Sequence, residues 1–183
     1  GVAAVELNLS CPNVHGGAVP FASDPKATRD VVRAVKDATG LPVIVKLSPN
    51  VDHLRTAEAA EAAGADGFSL INTLVGAKID TRTGRPVLAY GTGGLSGPAV
   101  LPVAVRMVMQ LARFTSRPIL GMGGVASADD ALQLAMAGAR LVAVGTATFT
   151  DPMAPLTVAR DLRERLTREG RLWTDLVGWA LRG

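Results

Sequence analysis

The chain has 183 residues, 48% apolar, 19% charged and 4% aromatic, enough to bury the core of one globular domain and too apolar to be disordered. The net charge of +3 comes from scattered basic residues with no aromatic-plus-basic stripe, which argues against nucleic-acid binding. A single cysteine excludes an internal disulfide and multi-cysteine metal sites, and no apolar run reaches the roughly 18 residues of a membrane span.

In chain order, residues 2–9 read as a strand that stops at "NLSCPN". Asp24 has the character of a helix N-cap with Pro25 at the first helical position; Val31, Val32 and Val35 follow at helical spacing, and Gly40 is a stop signal. "LPVIVKL" (41–47) is short, β-branched and almost wholly apolar, as a buried parallel strand is. Residues 55–65 predict a helix, 66–71 a strand, and 73–97 a long Gly/Thr-rich connection. A helix is predicted from Pro98 to about Phe114, a strand at 117–121, and a helix from a Ser127/Asp130 capping box to Ala137. A strand at 140–145, a helix at 153–169 and a shorter helical tail at 171–181 complete the chain. The Arg-rich stretch 160–171 also carries Asp161, Glu164 and Glu169 and reads as a solvated helix face.

"EAAEAAGADGFSLINT" and "LQLAMAGARLVAVGTA" repeat one pattern: helix, Ala-Gly-Ala, buried strand, polar or Gly-containing turn. Repeated strand–helix units predict a parallel sheet, either doubly wound or a (β/α)8 barrel. The polar residues favour the barrel. Asn8, Cys11, Lys46, Asn72, Thr73, Gly123, Gly124, Gly145 and Thr146 all lie at or just past predicted strand ends, which in a barrel converge on one mouth. Gly-rich turns after the last two strands suit a phosphate site. Only five strands are found, so the expected architecture is the last five strand–helix units of a TIM barrel, as one partial domain over 1–183. The start Gly1-Val2, without Met, fits a processed or truncated beginning.

Each candidate residue has two readings. Cys11 is either a small buried hydrophobe or a general base, since a thiol with a pKa of about 8.5 is usable near neutrality. The polar neighbours Asn8, Ser10 and Asn13 favour the base, because burying that many polar groups demands partners. Lys46 ends an apolar strand and either snorkels to solvent or acts as a cation. Asn72-Thr73 is either a turn or a pair of hydrogen-bonding groups, and the Gly93-Gly94 and Gly123-Gly124 pairs are either tight turns or part of a ligand cradle. His15 and His53 lack paired ligands and read as surface or loop residues; Trp173 and Trp179 read as packing on the exterior.

The motifs "ELNLSCPN", "VIVKLSPN", "INTL", "YGTGGLSGPA", "GMGGV" and "AVGTA" follow one another from residue 5 to about residue 155. On these the chain resembles dihydroorotate dehydrogenase, the flavin enzyme of pyrimidine biosynthesis, in its soluble cysteine-containing class. The connection "INTLVGAKIDTRTGRPVLAYGTGGLSGPA" is most similar to the subtype that passes electrons to NAD through an iron–sulfur/FAD subunit. The related barrel of dihydropyrimidine dehydrogenase is a near neighbour and the alternative within enzymes; a non-catalytic truncated flavin- or phosphate-binding half-barrel is the alternative outside them.

The resemblance implies a TIM barrel with FMN as hydride acceptor, oxidising dihydroorotate to orotate on the way to UMP. It implies that Cys11 takes the proton from carbon 5, and that Asn8, Asn13, Asn72 and Thr73 hold the pyrimidine, Asn8 also lying near the flavin. Lys46 would contact the FMN ring, where negative charge develops on reduction. Ile71, Gly97, Gly123, Gly124, Gly145 and Thr146 would line the FMN, the last four around its phosphate. It further implies a cytoplasmic homodimer or heterotetramer when full length, with no metal, membrane or nucleic-acid partner. Further FMN contacts, a substrate-side lysine and more asparagines are expected in segments before Gly1, so the 183-residue chain alone is expected to be inactive.

Overall fold

The computed structural model describes residues 1–9 and 21–182. Five strands form one parallel sheet: β1 (Val5–Asn8), β2 (Val43–Lys46), β3 (Gly67–Leu70), β8 (Ile119–Met122) and β9 (Leu141–Ala143). Between β3 and β8 lie four short strands: β4 (Leu74–Gly76), β5 (Ile79–Asp80), β6 (Arg85–Pro86) and β7 (Gly93–Leu95). The helices are α1 (Pro25–Ala38), α2 (His53–Ala62), α3 (Leu101–Phe114), α4 (Ala128–Ala137), α5 (Ala154–Glu169) and the single turn α6 (Trp173–Leu176).

Sheet order β1-β2-β3-β8-β9 follows chain order without reversal, and every pair is parallel. A doubly wound sheet reverses its order at a switch point, and this one does not. Consecutive helices also pack on one another, α1 on α2, α2 on α3, α3 on α4 and α4 on α5, so all lie on one face. The structure is therefore an α/β arc with helices outside; closure into a barrel is not seen in it. Buried residues fill the space between the two layers. Val45, Phe68 and Leu70 from the sheet meet Val32, Ala57, Met107, Val108, Leu111 and Leu134 from the helices. Full burial of such a side chain contributes about 1.5–3 kcal/mol.

The helix boundaries have local causes. Asp24 caps α1 by accepting from the Lys26 amide at 2.8 Å, with Pro25 next. Asp52 caps α2 by accepting from the amides of Leu54 and Arg55, which starts the helix at His53 rather than at 55. Ser127 and Asp130 form the capping box on α4. Both Ala-Gly-Ala connections are Schellman turns. Ala65 donates to the Ala60 carbonyl at 3.0 Å and Ala139 to that of Leu134 at 2.9 Å, over glycines with φ of +97° and +123°.

Two expectations need correction. The connection 73–97, for which the sequence predicts no strands, contains two antiparallel pairs, β4 with β7 and β5 with β6. The Gly93-Gly94 pair is accordingly strand rather than turn. Gly94 is required by close approach, since a Cβ there would lie 2.7 Å from that of Thr73. His53 is not a surface residue. As the first residue of α2 it turns inward toward Arg106 and Met107 of α3, is buried, and leaves Nε2 without a hydrogen-bond partner among the described residues. Burial, reinforced by the nearby Arg106 charge, holds its pKa below the usual histidine range. The tryptophan expectation stands. Trp173 donates to the Arg140 carbonyl at 2.8 Å, and the Trp179 turn packs on α4, with the Arg171 guanidinium 4.4 Å from its ring centre.

Candidate active site at the carboxyl ends of the strands

The parallel strands all point their carboxyl ends the same way, so the residues that finish them share one rim. β1 finishes at Asn8 and β2 at Lys46; β3 leads into Ile71-Asn72-Thr73, β8 into Gly123-Gly124, and β9 into Val144-Gly145-Thr146. A cleft of about 180 Å³ brings together Lys46, Asn72, Thr73, Gly123, Gly124 and Gly145, with Ile71 and Thr146 also on its wall. Gly97 lies in an adjoining hollow of about 320 Å³ that shares Gly124 and Thr146 with the first. Asn8 joins the cleft through Asn72, whose Nδ2 donates to Asn8 Oδ1 at 3.2 Å. Cys11 and Asn13 lie outside the described residues, as does His15.

The segment after β3 is pinned from both sides. Ile71 donates its amide to the Met122 carbonyl at 2.9 Å and Asn72 to that of Leu47 at 3.1 Å, while the Leu70–Ile71 peptide is cis. Asn72 Oδ1 accepts from the Thr73 amide at 2.8 Å. Sequence reasoning missed the brace beneath them. Asn50 Nδ2 donates to the Thr73 carbonyl at 2.9 Å, and its Oδ1 accepts from the Val75 amide at 2.9 Å. A side-chain amide thus satisfies the backbone as a neighbouring strand would. The available signal was Ser48-Pro49-Asn50 after a strand: the Ser48 hydroxyl accepts from the Asn50 amide at 3.2 Å, which fixes the asparagine's direction. Leu95 of β7 and Ser96 just past it add to the wall, again from the stretch read only as a connection.

The glycines of the rim differ in what they do. Gly123 and Gly124 have φ of +116° and +82°, conformations that side chains other than glycine rarely adopt. A Cβ on Gly123 would lie 2.9 Å from Ile71 Cγ1, and one on Gly124 would lie 2.8 Å from both the amide nitrogen and Cβ of Leu101. Gly145, by contrast, has ordinary φ of −112° and nothing within 4 Å of its would-be Cβ. It faces open space, into which a side chain would project. Lys46 is the cation of the cleft, with its Nζ 3.7 Å from Glu6 Oε1. Among the described residues no group of three or more His, Cys, Asp or Glu is placed to hold a metal, and no helix is long and apolar enough to cross a membrane.

A parallel sheet with a cation, paired amides and glycine turns collected at its carboxyl ends defines an α/β protein with a polar cleft at that rim. A family model described as dihydroorotate dehydrogenase matches residues 1–166, and the chain belongs to that family. It is similar to the catalytic subunit of dihydroorotate dehydrogenase B (NAD(+)) from Geobacillus kaustophilus, 54% identical over 162 residues, which are 88% of this chain and 52% of the relative. The subunit of the same name from Listeria innocua is 51% identical over 170 residues, 92% of this chain and 56% of the relative. That from Enterococcus faecalis is 55% identical over 152 residues, 82% of this chain and 49% of the relative. The chain thus spans about half the length of the curated relatives it matches.

Proposed function

We propose that the chain is part of the catalytic subunit of an NAD-linked dihydroorotate dehydrogenase, oxidising dihydroorotate to orotate with FMN in pyrimidine biosynthesis. The observation that carries this reading is the single cleft into which four separated sequence segments bring Lys46, Asn72-Thr73, Gly123-Gly124 and Gly145-Thr146. The five-stranded arc, its order unreversed, would be part of a (β/α)8 barrel. Family membership and the names of its relatives support the activity, and their designation as a catalytic subunit supports a separate electron-transfer partner.

The rim fits FMN. Glycine turns after β8 and β9 would offer backbone amides to a phosphate dianion, and Gly145 opens on free space. Gly123, Gly124, Gly145 and Thr146 would hold the phosphate end, Ile71 and Gly97 would line the rest of the flavin, and Lys46 would meet the ring edge that gains negative charge. When bound, FMN supplies the hydride acceptor. The chain's own work is orientation and proton removal. Asn8 and Asn72, linked by their side-chain hydrogen bond, present the donors and acceptors that a pyrimidine edge requires, with Thr73 beside them and Asn13 completing the set. Cys11, three residues past Asn8, would take the carbon 5 proton as thiolate.

The test is rapid-mixing flavin reduction against pH in the full-length protein. Cys11→Ala should retain FMN and orotate binding and lose about 10²–10⁴-fold in the reduction rate, as removal of a positioned base does. A rate equal to wild type would assign Cys11 to packing and move the base elsewhere.

A further inference from the structure

Beneath the cleft, the open face of the sheet carries a polar row that packing does not call for. Side chains two residues apart on a strand share a face, and in-register neighbours on adjacent strands do too. The register places Asn8, Lys46 and Ser69 side by side, with Glu6 one layer below on the same face, in line with Ile44. Leu7 and Val45 occupy the opposite face, packed in the core with the helices, and Val43 is buried on that same face. The Lys46 ammonium is 3.7 Å from the Glu6 carboxylate, with both side chains partly exposed. A pair of that kind contributes only about 0–1 kcal/mol to stability. On the other flank of Lys46, Ser69 is fully buried and its hydroxyl has no partner among the described residues. An orphaned buried hydroxyl costs about 1–3 kcal/mol, which an apolar side chain at the same position would avoid.

We propose that Glu6 is a positioning residue: it tethers the Lys46 ammonium at the floor of the cleft, with the Ser69 hydroxyl as its neighbour on the far side. The inference rests on the reading of Lys46 as a flavin contact. A lysine has four rotatable carbons and must otherwise be ordered when the ligand arrives. A carboxylate diagonal to it on β1 removes that freedom beforehand. The role is distinct from a plain electrostatic effect, and the two have opposite signs. FMN is an anion, so deleting a bystander carboxylate would tighten its binding. Deleting a tether loosens it.

The experiment uses the full-length protein as wild type, Glu6→Gln, Glu6→Asp, Lys46→Gln and the Glu6→Gln/Lys46→Gln double variant. In the apoprotein, the acylation rate of the Lys46 amine, followed by peptide mapping, should rise in Glu6→Gln and be intermediate in Glu6→Asp. FMN affinity, read by fluorescence quenching, should fall about three- to tenfold in Glu6→Gln, the scale of one charge-assisted contact. In the Lys46→Gln background the Glu6 substitution should have no further effect, the mark of a coupled pair. Tighter FMN binding in Glu6→Gln, or an equal effect with Lys46 already removed, would overturn the proposal. An unchanged acylation rate would do the same, and in Glu6→Asp that measurement decides the matter even if Glu6→Gln does not fold. Weaker FMN binding in Lys46→Gln with a silent Glu6→Gln overturns the tether alone. Unchanged FMN binding in Lys46→Gln overturns the flavin-contact reading and the tether with it.

Discussion

Gly124→Ala is the sharpest probe of the rim, because its cost follows from the backbone alone. At φ +82° an L-residue pays the left-handed penalty, about 1–2 kcal/mol. The added Cβ would also lie 2.8 Å from the amide nitrogen and Cβ of Leu101 and 3.0 Å from the Gly97 carbonyl oxygen. Two of these three atoms are backbone, one at the start of α3 and one in the turn before it, and the Gly97 carbonyl already accepts from the Val100 amide at 3.1 Å, so relief requires shifting that turn. Forcing one carbon into such a site costs about 1–3 kcal/mol. The sum, about 2–5 kcal/mol, is a large part of the 5–15 kcal/mol that holds a typical domain together. The assay is urea unfolding of the full-length apoprotein with linear extrapolation, beside an FMN titration. Gly145→Ala is the control, since its Cβ meets nothing within 4 Å. It should leave stability within about 0.5 kcal/mol and weaken FMN binding about tenfold or more. A Gly124→Ala protein as stable as wild type, or a Gly145→Ala protein that binds FMN as well as wild type, would refute the reasoning for that position.

Asp66 accepts from Lys36 Nζ at 2.8 Å and from the Val43 amide at 2.7 Å, tying α1 to the start of β2, and these contacts hold its carboxyl below the usual range. Its contribution is therefore complete above the ordinary aspartate pKa and lost as pH falls through the lowered value; Asp66→Asn should cost about 1 kcal/mol near neutrality, measured by urea unfolding, and flatten the acid limb. His53, whose pKa is lowered by burial, should make stability fall as pH drops below the ordinary histidine value of about 6.5, because the unfolded chain then binds the extra proton; His53→Leu should remove that slope in thermal melts between pH 7 and 5. Phe68→Ala, at a fully buried position in the central strand, should destabilise by about 3–5 kcal/mol in the same unfolding assay.

What the sequence determined by itself is whatever is written in neighbouring residues. The Asp24-Pro25 start, the Ser127/Asp130 box and the two Ala-Gly-Ala turns are local hydrogen-bond patterns, and all form as the residues dictate. The five parallel strands were legible because each is a short apolar run bounded by turn residues, and the rim residues because they end those runs. The short strands within 73–97 were not legible: two- and three-residue strands have no period to detect, and glycine is required at Gly94 only because the Thr73 side chain packs close against it. His53 was misread for the same reason, since its burial depends on α3, more than forty residues away in the chain. The Asn50 brace and the Glu6–Lys46 pair are likewise decided by register between separate strands and loops. Sequence specifies which groups exist and how each local segment turns; only the tertiary structure, by bringing distant strand ends to one rim, decides which of those groups meet.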